Sequence, residues 1–283
     1  MRRMIWLYRA GLLLTIVVLL SMGNSYVSLQ EEEITVEGRE VLDKPVRVLQ
    51  LSDFHGKTFS NNQRNLRLMF DRLDYDVVAL TGNVLGEKAR DFRFIEPMLK
   101  YFQEQGKPVL FVTGSHDVDN PLYSEFKQLL ETYGTVMLDN ANYAYSDATG
   151  KTSVSFVGLS DPNVTDISTS QPIVTGYLEE ARNADNITVL LANRPTLIEQ
   201  FRGKADIILS GNALGGQVRL PFIGGLYAMD QGWFPEYDYG LFTETDSTGG
   251  QTQMYVSKGL GSTIIPGRLF NFPGVALLTI QPD

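Results

Sequence analysis

The chain has two histidines, His55 and His116, and each stands among residues that do metal or acid–base chemistry. Asp53 and His55 lie in Leu51-Ser52-Asp53-Phe54-His55-Gly56, directly after the β-type run Val46-Arg47-Val48-Leu49-Gln50-Leu51. At an extended strand end the i, i+2 spacing puts carboxylate and imidazole on one face. Oxygen and nitrogen donors converging there suit a divalent metal, although such a pair serves equally as a hydrogen-bonded couple. The D-x-H pattern alone does not choose between them. His116 stands in a second loop, Thr113-Gly114-Ser115-His116-Asp117. Three more glycine- or asparagine-bearing loops follow the same plan: Thr81-Gly82-Asn83, Leu191-Ala192-Asn193-Arg194-Pro195, and Ser210-Gly211-Asn212-Ala213-Leu214-Gly215-Gly216-Gln217. Asp117 and Arg194 read as residues that fix these loops.

The elements that must position the loops are legible from periodicity. Residues 76–81 and 108–113 are continuous apolar runs, as buried strands are. Residues 62–73, 92–103 and 122–133 repeat apolar side chains at helical spacing. This β-α-β-α-β order predicts parallel strands joined by crossover helices. The second half predicts hairpins around DATGK and DSTGG turns, with buried strands at 188–191, 206–209 and 277–280. In α/β sheets ligands sit beyond the carboxyl ends of the strands, so five such loops outline one crevice.

In the order and spacing of these five motifs the chain resembles the calcineurin-like metallophosphoesterases. It is most similar to the bacterial, membrane-anchored branch with phosphodiesterases and lipid-linked pyrophosphatases. The family pattern is D-x-H, G-D, G-N-H-D/E, an isolated histidine after a strand, and G-H-x-H. Gly215-Gly216-Gln217-Val218-Arg219-Leu220-Pro221 and Tyr255-Val256-Ser257-Lys258-Gly259-Leu260-Gly261 match the tail of that branch. The resemblance implies an α/β/β/α sandwich with a two-metal site between the sheet ends. It also implies one ion on Asp53, His55 and positions 83 and 214, and a second on positions 83, 115, 193 and 212. His116 matches the histidine that assists the departing oxygen.

Five of those seven ligand positions are replaced, by Asn83, Ser115, Asn193, Asn212 and Leu214. A two-metal site needs a bridging carboxylate to hold two cations ~3.5–4 Å apart against their repulsion. Asn83 is neutral, Asn193 and Asn212 are poor substitutes for imidazole, and Leu214 offers no donor. The expectation is therefore at most one weakly bound divalent metal, on Asp53 and His55. Asparagine for aspartate or histidine keeps the crevice polar, and Gln217 and Arg219 survive. The leading expectation is a pseudoenzyme that binds a phosphorylated envelope ligand or a protein. The alternatives are a residual metal-dependent phosphodiesterase or pyrophosphatase using Asp53, His55 and His116, and an envelope scaffold working through residues 221–239.

Composition bounds the rest. The 283 residues are 43% hydrophobic and 20% charged, ample for a large α/β core. A net charge of -9 without a basic stripe excludes a nucleic-acid backbone as partner. No cysteine is present, so disulfides, thiolate metal sites and cysteine nucleophiles are excluded. In residues 1–23, Arg2, Arg3 and Arg9 precede the apolar block 10–22, the layout of a signal anchor or signal peptide. Positive flanks stay inside, so the expectation is a single-pass membrane protein with its domain extracytoplasmic. Ser21 and Gly23 would suit cleavage, and the leading arginine pair resembles a twin-arginine signal faintly. Residues 24–44 read as a connector ending in a short edge strand at 34–36, and 45–283 as the domain.

Overall fold

Along β2 (Val46–Leu51) successive side chains serve two different cores. Val46 and Val48 pack one way and Leu49 and Leu51 the other, as a pleated strand with both faces covered requires. The computed structural model describes residues 5–9, 11–15, 27–36, 44–87, 89–147, 150, 153–263 and 268–282. In it β2 sits inside a six-stranded sheet with β1 (Ser28–Val36), β3 (Val77–Leu80), β4 (Val109–Phe111), β5 (Val136–Met137) and β16 (Gly274–Pro282). Their order is β1-β16-β2-β3-β4-β5, and β2 to β5 run parallel. A second six-stranded sheet has the order β14-β15-β9-β8-β7-β6. It comprises β6 (Asn142–Ser146), β7 (Ser153–Gly158), β8 (Ile187–Ala192), β9 (Ile207–Ser210), β14 (Gly240–Thr245) and β15 (Gln251–Val256). Strands β7, β8, β9 and β15 are parallel, with antiparallel β6 and β14 at the edges.

The sheets face each other across one apolar layer, where Val48, Val77, Ala79 and Leu110 meet Phe156, Val189, Leu191, Leu209 and Tyr255. Helices α1 (Arg64–Phe70), α2 (Glu96–Glu104) and α4 (Tyr123–Thr132) cover the first sheet through Leu66, Phe70, Phe102 and Phe126. The four-residue α3 (Ser115–Val118) opens on the loop after β4. Helices α5 (Ile167–Asn183) and α6 (Ile198–Phe201) cover the second sheet through Val174, Leu178 and Phe201. The layers are thus helix, sheet, sheet, helix.

Three features differ from the sequence expectation. β1 extends back to Ser28 and runs parallel to β16, so 28–36 belongs to the same sheet as β2 rather than to a connector. Its Glu31-Glu32-Glu33 run hides it from a hydropathy reading, because an edge strand leaves one face in water. α5 was not anticipated, since Pro172 and Gly176 interrupt its pattern. Asp166 caps it, accepting the Ser168 amide at 2.8 Å. Finally, the expected membrane segment is described only as helical turns at 5–9 and 11–15; its remainder and residues 37–43 lie outside the described residues. No described helix is long and apolar enough to cross a membrane. Beyond β9, two ribbons, β10 (Arg219–Leu220) with β11 (Gly224–Gly225) and β12 (Tyr227–Ala228) with β13 (Gly232–Trp233), carry exposed Phe222, Ile223, Trp233 and Phe234.

Candidate functional site

The carboxyl ends of β2, β3, β8 and β9 are stitched together by main-chain hydrogen bonds between loops. Asp53 and His55 amides donate to the Gly82 and Asn83 carbonyls, and the Gly211 amide to Asn193, each at 3.0 Å. Below them Gln50 spans the two sheets, donating to Thr81 Oγ1 (3.0 Å) and to the Ser210 carbonyl (2.8 Å). Asp53, His55, Asn83, Asn212 and Leu214 all have left-handed backbones, with φ between 48° and 64°. Strain gathers at functional sites because the surrounding fold must impose it. Asparagine tolerates this region and leucine does not, so Leu214 holds a conformation its side chain disfavours. Gly114 is required where it stands, since a Cβ would overlap the Asn83 amide.

Asn83 is the centre of the site. Its Oδ1 accepts the His116 backbone amide at 3.0 Å, and that donor fixes which way the amide group points. Nδ2 then donates in two directions, to Asp53 Oδ1 and to Asn212 Oδ1, both at 3.0 Å. Asp53 Oδ2 accepts the Asn212 amide (2.9 Å) and the Ser52 hydroxyl (2.5 Å). Asp53 and Asn83 are fully buried, so these bonds act in a low dielectric. Three candidate ligand positions are therefore bonded to one another rather than left open towards a common point.

The remaining candidates sit around this knot. Asn193 Nδ2 donates to the Thr81 carbonyl at 2.7 Å, and its buried Oδ1 has no partner among the described residues. Ser115 opens α3. His116 is 7% exposed, and its Nδ1 lies 2.8 Å from Glu87 Oε1; a carboxylate only accepts, which puts the proton on Nδ1. The His55 ring stands edge-on to it with centroids 5.1 Å apart. Asp117 accepts the Leu85 and Gly114 amides at 2.6 and 3.0 Å, and Arg194 pairs with Asp161 through two 2.8 Å bonds. Both fix loops in this geometry.

Burial sets the protonation of the site. It holds the His55 imidazole down at about 3, helped by His116 and Arg268. It pushes Asp117 up to about 7 against hydrogen bonds from Gly114, Leu85 and Asn83, and it raises Asp53 and Asp139 too. The consequences for stability have opposite signs. An unfolded histidine protonates below about 6.5 while buried His55 stays neutral, so His55 removes stability as pH falls from about 6.5 towards 3. The unfolded aspartate loses its proton near 3.8 and buried Asp117 near 7, so Asp117 removes stability as pH rises between them. Each masks the other. His55→Gln should leave urea midpoints that fall steadily from about pH 4.5 to 7, while the parent stays flatter. Identical profiles for the two proteins would contradict this.

Two residues that the motifs did not single out complete the site. Arg268 is 5% exposed and donates from Nε and Nη2 to the Gly261 carbonyl (2.8 and 2.5 Å) and from Nη1 to the Leu214 carbonyl (3.3 Å). Asn271 Nδ2 donates to the carbonyls of Leu214, Gly215 and Gln217. Together they tie the Leu214 loop to the 268–271 segment. The only sequence signal was Arg268 preceding, and Asn271 interrupting, the otherwise apolar Leu269-Phe270-Asn271-Phe272 stretch.

The donor set does not fit a two-metal centre. At the bridging position N–H groups face Asp53 and Asn212, where a shared cation needs oxygen lone pairs. Leu214 is buried without a donor, and Arg268 puts a fixed positive charge against its carbonyl. Asp53 Oδ1 lies 3.8 Å from His55 Nε2, which is buried and has no hydrogen-bond partner among the described residues. Separately, at the crevice edge, Glu87, His116 and Asp119 bring one ligand atom each within 4.8 Å of one another.

The chain is similar to several known proteins. The chain is 27% identical over 238 residues to the uncharacterized metallophosphoesterase YkoQ of Bacillus subtilis, covering 82% of each chain. It is 24% identical over 242 residues to YkuE of the same organism, covering 83% of this chain and 79% of that one. The solved Thermus thermophilus sulfate thiohydrolase SoxB is 10% identical with a TM-score of 0.45, over 87% of this chain and 57% of its own. The profile of the calcineurin-like phosphoesterases matches residues 46–212, from the start of β2 to Asn212, and the chain belongs to that family.

Proposed function

We propose that this protein is a membrane-anchored, extracytoplasmic pseudoenzyme of the metallophosphoesterase fold, which has lost two-metal hydrolysis and keeps its crevice to bind a phosphorylated envelope ligand. The observation that carries the reading is the Asn83 amide, held by the His116 N–H so that its own N–H groups point at Asp53 and Asn212. Hydrogen-bond donors stand where the family mechanism needs a bridging anion. The retained strained backbones argue that the crevice still has a use, since they cost stability. The anchor rests on Arg2, Arg3 and Arg9 beside the apolar block, with exposed Trp6, Leu12, Leu13 and Leu14 in the helical turns.

One observation favours a second reading, a hydrolase working with a single ion. His55 Nε2 is buried, near Asp53 and without a hydrogen-bond partner among the described residues, and His116 is close enough to serve as acid. Hydrolysis of a chromogenic phosphodiester with manganese supplied separates the two. The pseudoenzyme stays at the rate of buffer plus metal. Metal-dependent turnover that disappears in His116→Ala would replace it with the single-ion hydrolase.

A further inference from the structure

The fold takes hold of the chain at Ser28, whose amide donates to the Pro273 carbonyl at 2.8 Å where β1 starts. Because β1 runs parallel to β16 and β16 antiparallel to β2, that point lies at the end of the sheet where β2 delivers Asp53 and His55. In the sequence the apolar block ends at Met22, and Ser28 is the sixth residue after it. Six residues span at most about 22 Å when fully extended. An apolar block that spans a bilayer therefore holds the crevice end of the sandwich close against that bilayer.

The same end carries apolar side chains that the fold leaves in water. From Pro273 the chain leads back to Leu269, whose carbonyl accepts the Arg219 amide at 3.0 Å where β10 begins. Leu226, between β11 and β12, donates to the Val218 carbonyl (2.9 Å) and accepts the Phe234 amide (2.8 Å). Both ribbons are thus tied to the segment that meets Ser28. Their stretches Pro221-Phe222-Ile223 and Gly232-Trp233-Phe234 contain no charged residue. Phe222, Ile223, Trp233 and Phe234 are all exposed, Trp233 at 71%. Phe222 and Phe234 also stand on left-handed backbones, at φ 68° and 55°, which bulky residues disfavour. Neither the exposure nor the strain benefits the isolated fold, which is the mark of a surface made for a partner. Uncharged aromatic and aliphatic tips suit the boundary between lipid headgroups and acyl chains, and the short tether brings that boundary within reach.

We infer that Phe222, Ile223, Trp233 and Phe234 insert into the face of the bilayer that holds the N-terminal anchor, docking the domain with its crevice end towards the lipid. The inference rests on the anchor in the reading above and deepens it by fixing which way the crevice faces.

The chain has two tryptophans, Trp6 beside the apolar block and Trp233 in this surface, so each part carries its own reporter. The test is tryptophan fluorescence of the full chain in phosphatidylcholine vesicles, with and without lipid brominated near the top of its acyl chains. Trp6→Phe leaves Trp233 as the signal, and Trp233→Phe leaves Trp6. Trp233 emission should be roughly twofold or more lower in the brominated vesicles. Phe222→Asp with Ile223→Asp, both at exposed positions, should remove most of that loss and leave the Trp6 signal unchanged. Quenching of Trp6 without quenching of Trp233 would overturn the inference and leave the anchor standing. Trp6 unquenched would instead overturn the anchor reading, and with it the tether on which the inference depends. Blue-shifted Trp233 emission that brominated lipid does not touch, and that fades as protein is diluted into lipid, would assign the surface to a second copy of the chain and overturn the inference too.

Discussion

The chain carrying Asn83→Asp, Ser115→Asn, Asn193→His, Asn212→His and Leu214→His should bind two divalent ions. It should then hydrolyse a chromogenic phosphodiester on the order of 10³-fold or more faster than the parent. The fold already holds the loops in place, because Asp53, Asn83 and Asn212 keep left-handed backbones and Gly114 and Gly259 keep their close approaches. Histidine accepts the left-handed backbone at 214 more readily than leucine does. Ligands that act as one unit are strongly non-additive, so each single change should leave the rate at background. Arg268 is the remaining obstacle, a fixed cation bonded to the 214 carbonyl. Adding Arg268→Gln to the five should tighten metal binding further. Metal stoichiometry and diester hydrolysis for parent, single, fivefold and sixfold variants check this. A folded fivefold variant that binds no metal would show that the crevice has been rebuilt beyond the ligands themselves.

Asn83→Asp alone should do the opposite of a repair. The new carboxylate would lose both donated hydrogen bonds and stand about 3 Å from Asp53 Oδ1, where Nδ2 now lies. It would also face the Asn212 carbonyl oxygen, acceptor to acceptor. Like charges buried without a cation cannot both ionise, and breaking a buried polar network costs about 3–5 kcal/mol. For a domain of this size that is a fall of roughly 10 °C in Tm. The penalty should shrink as pH falls, because the two carboxylates then share a proton and one donates to the other. Thermal unfolding of parent and variant at pH 5 and 8 in EDTA measures it. A variant as stable as the parent at pH 8 would mean that the Asn83 bonds do not hold the site together.

Much of this architecture was legible because its signals are local. The apolar runs at 76–81 and 108–113 became β3 and β4, and the helical spacings at 92–103 and 122–133 became α2 and α4. Motif order placed Asp53, Asn83, His116, Asn193 and Asn212 at strand ends of one crevice. What could not be read was the direction of the Asn83 amide. Its orientation is set by an N–H 33 residues away, so the sequence shows an asparagine at this position but not which way its amide faces. Arg268 was missed for a related reason. Its importance comes from contacts with carbonyls of Leu214 and Gly261, and a carbonyl has no residue-type signature. The full length of β1 is not legible because three consecutive glutamates mask an edge strand.

The central claim is that a hydrogen-bonded network centred on Asn83 stands in place of a two-metal centre. The most direct measurement is the metal content of the protein purified after expression with manganese, zinc and iron supplied. The account predicts well under one transition-metal ion per chain. Two tightly held ions per chain would contradict it.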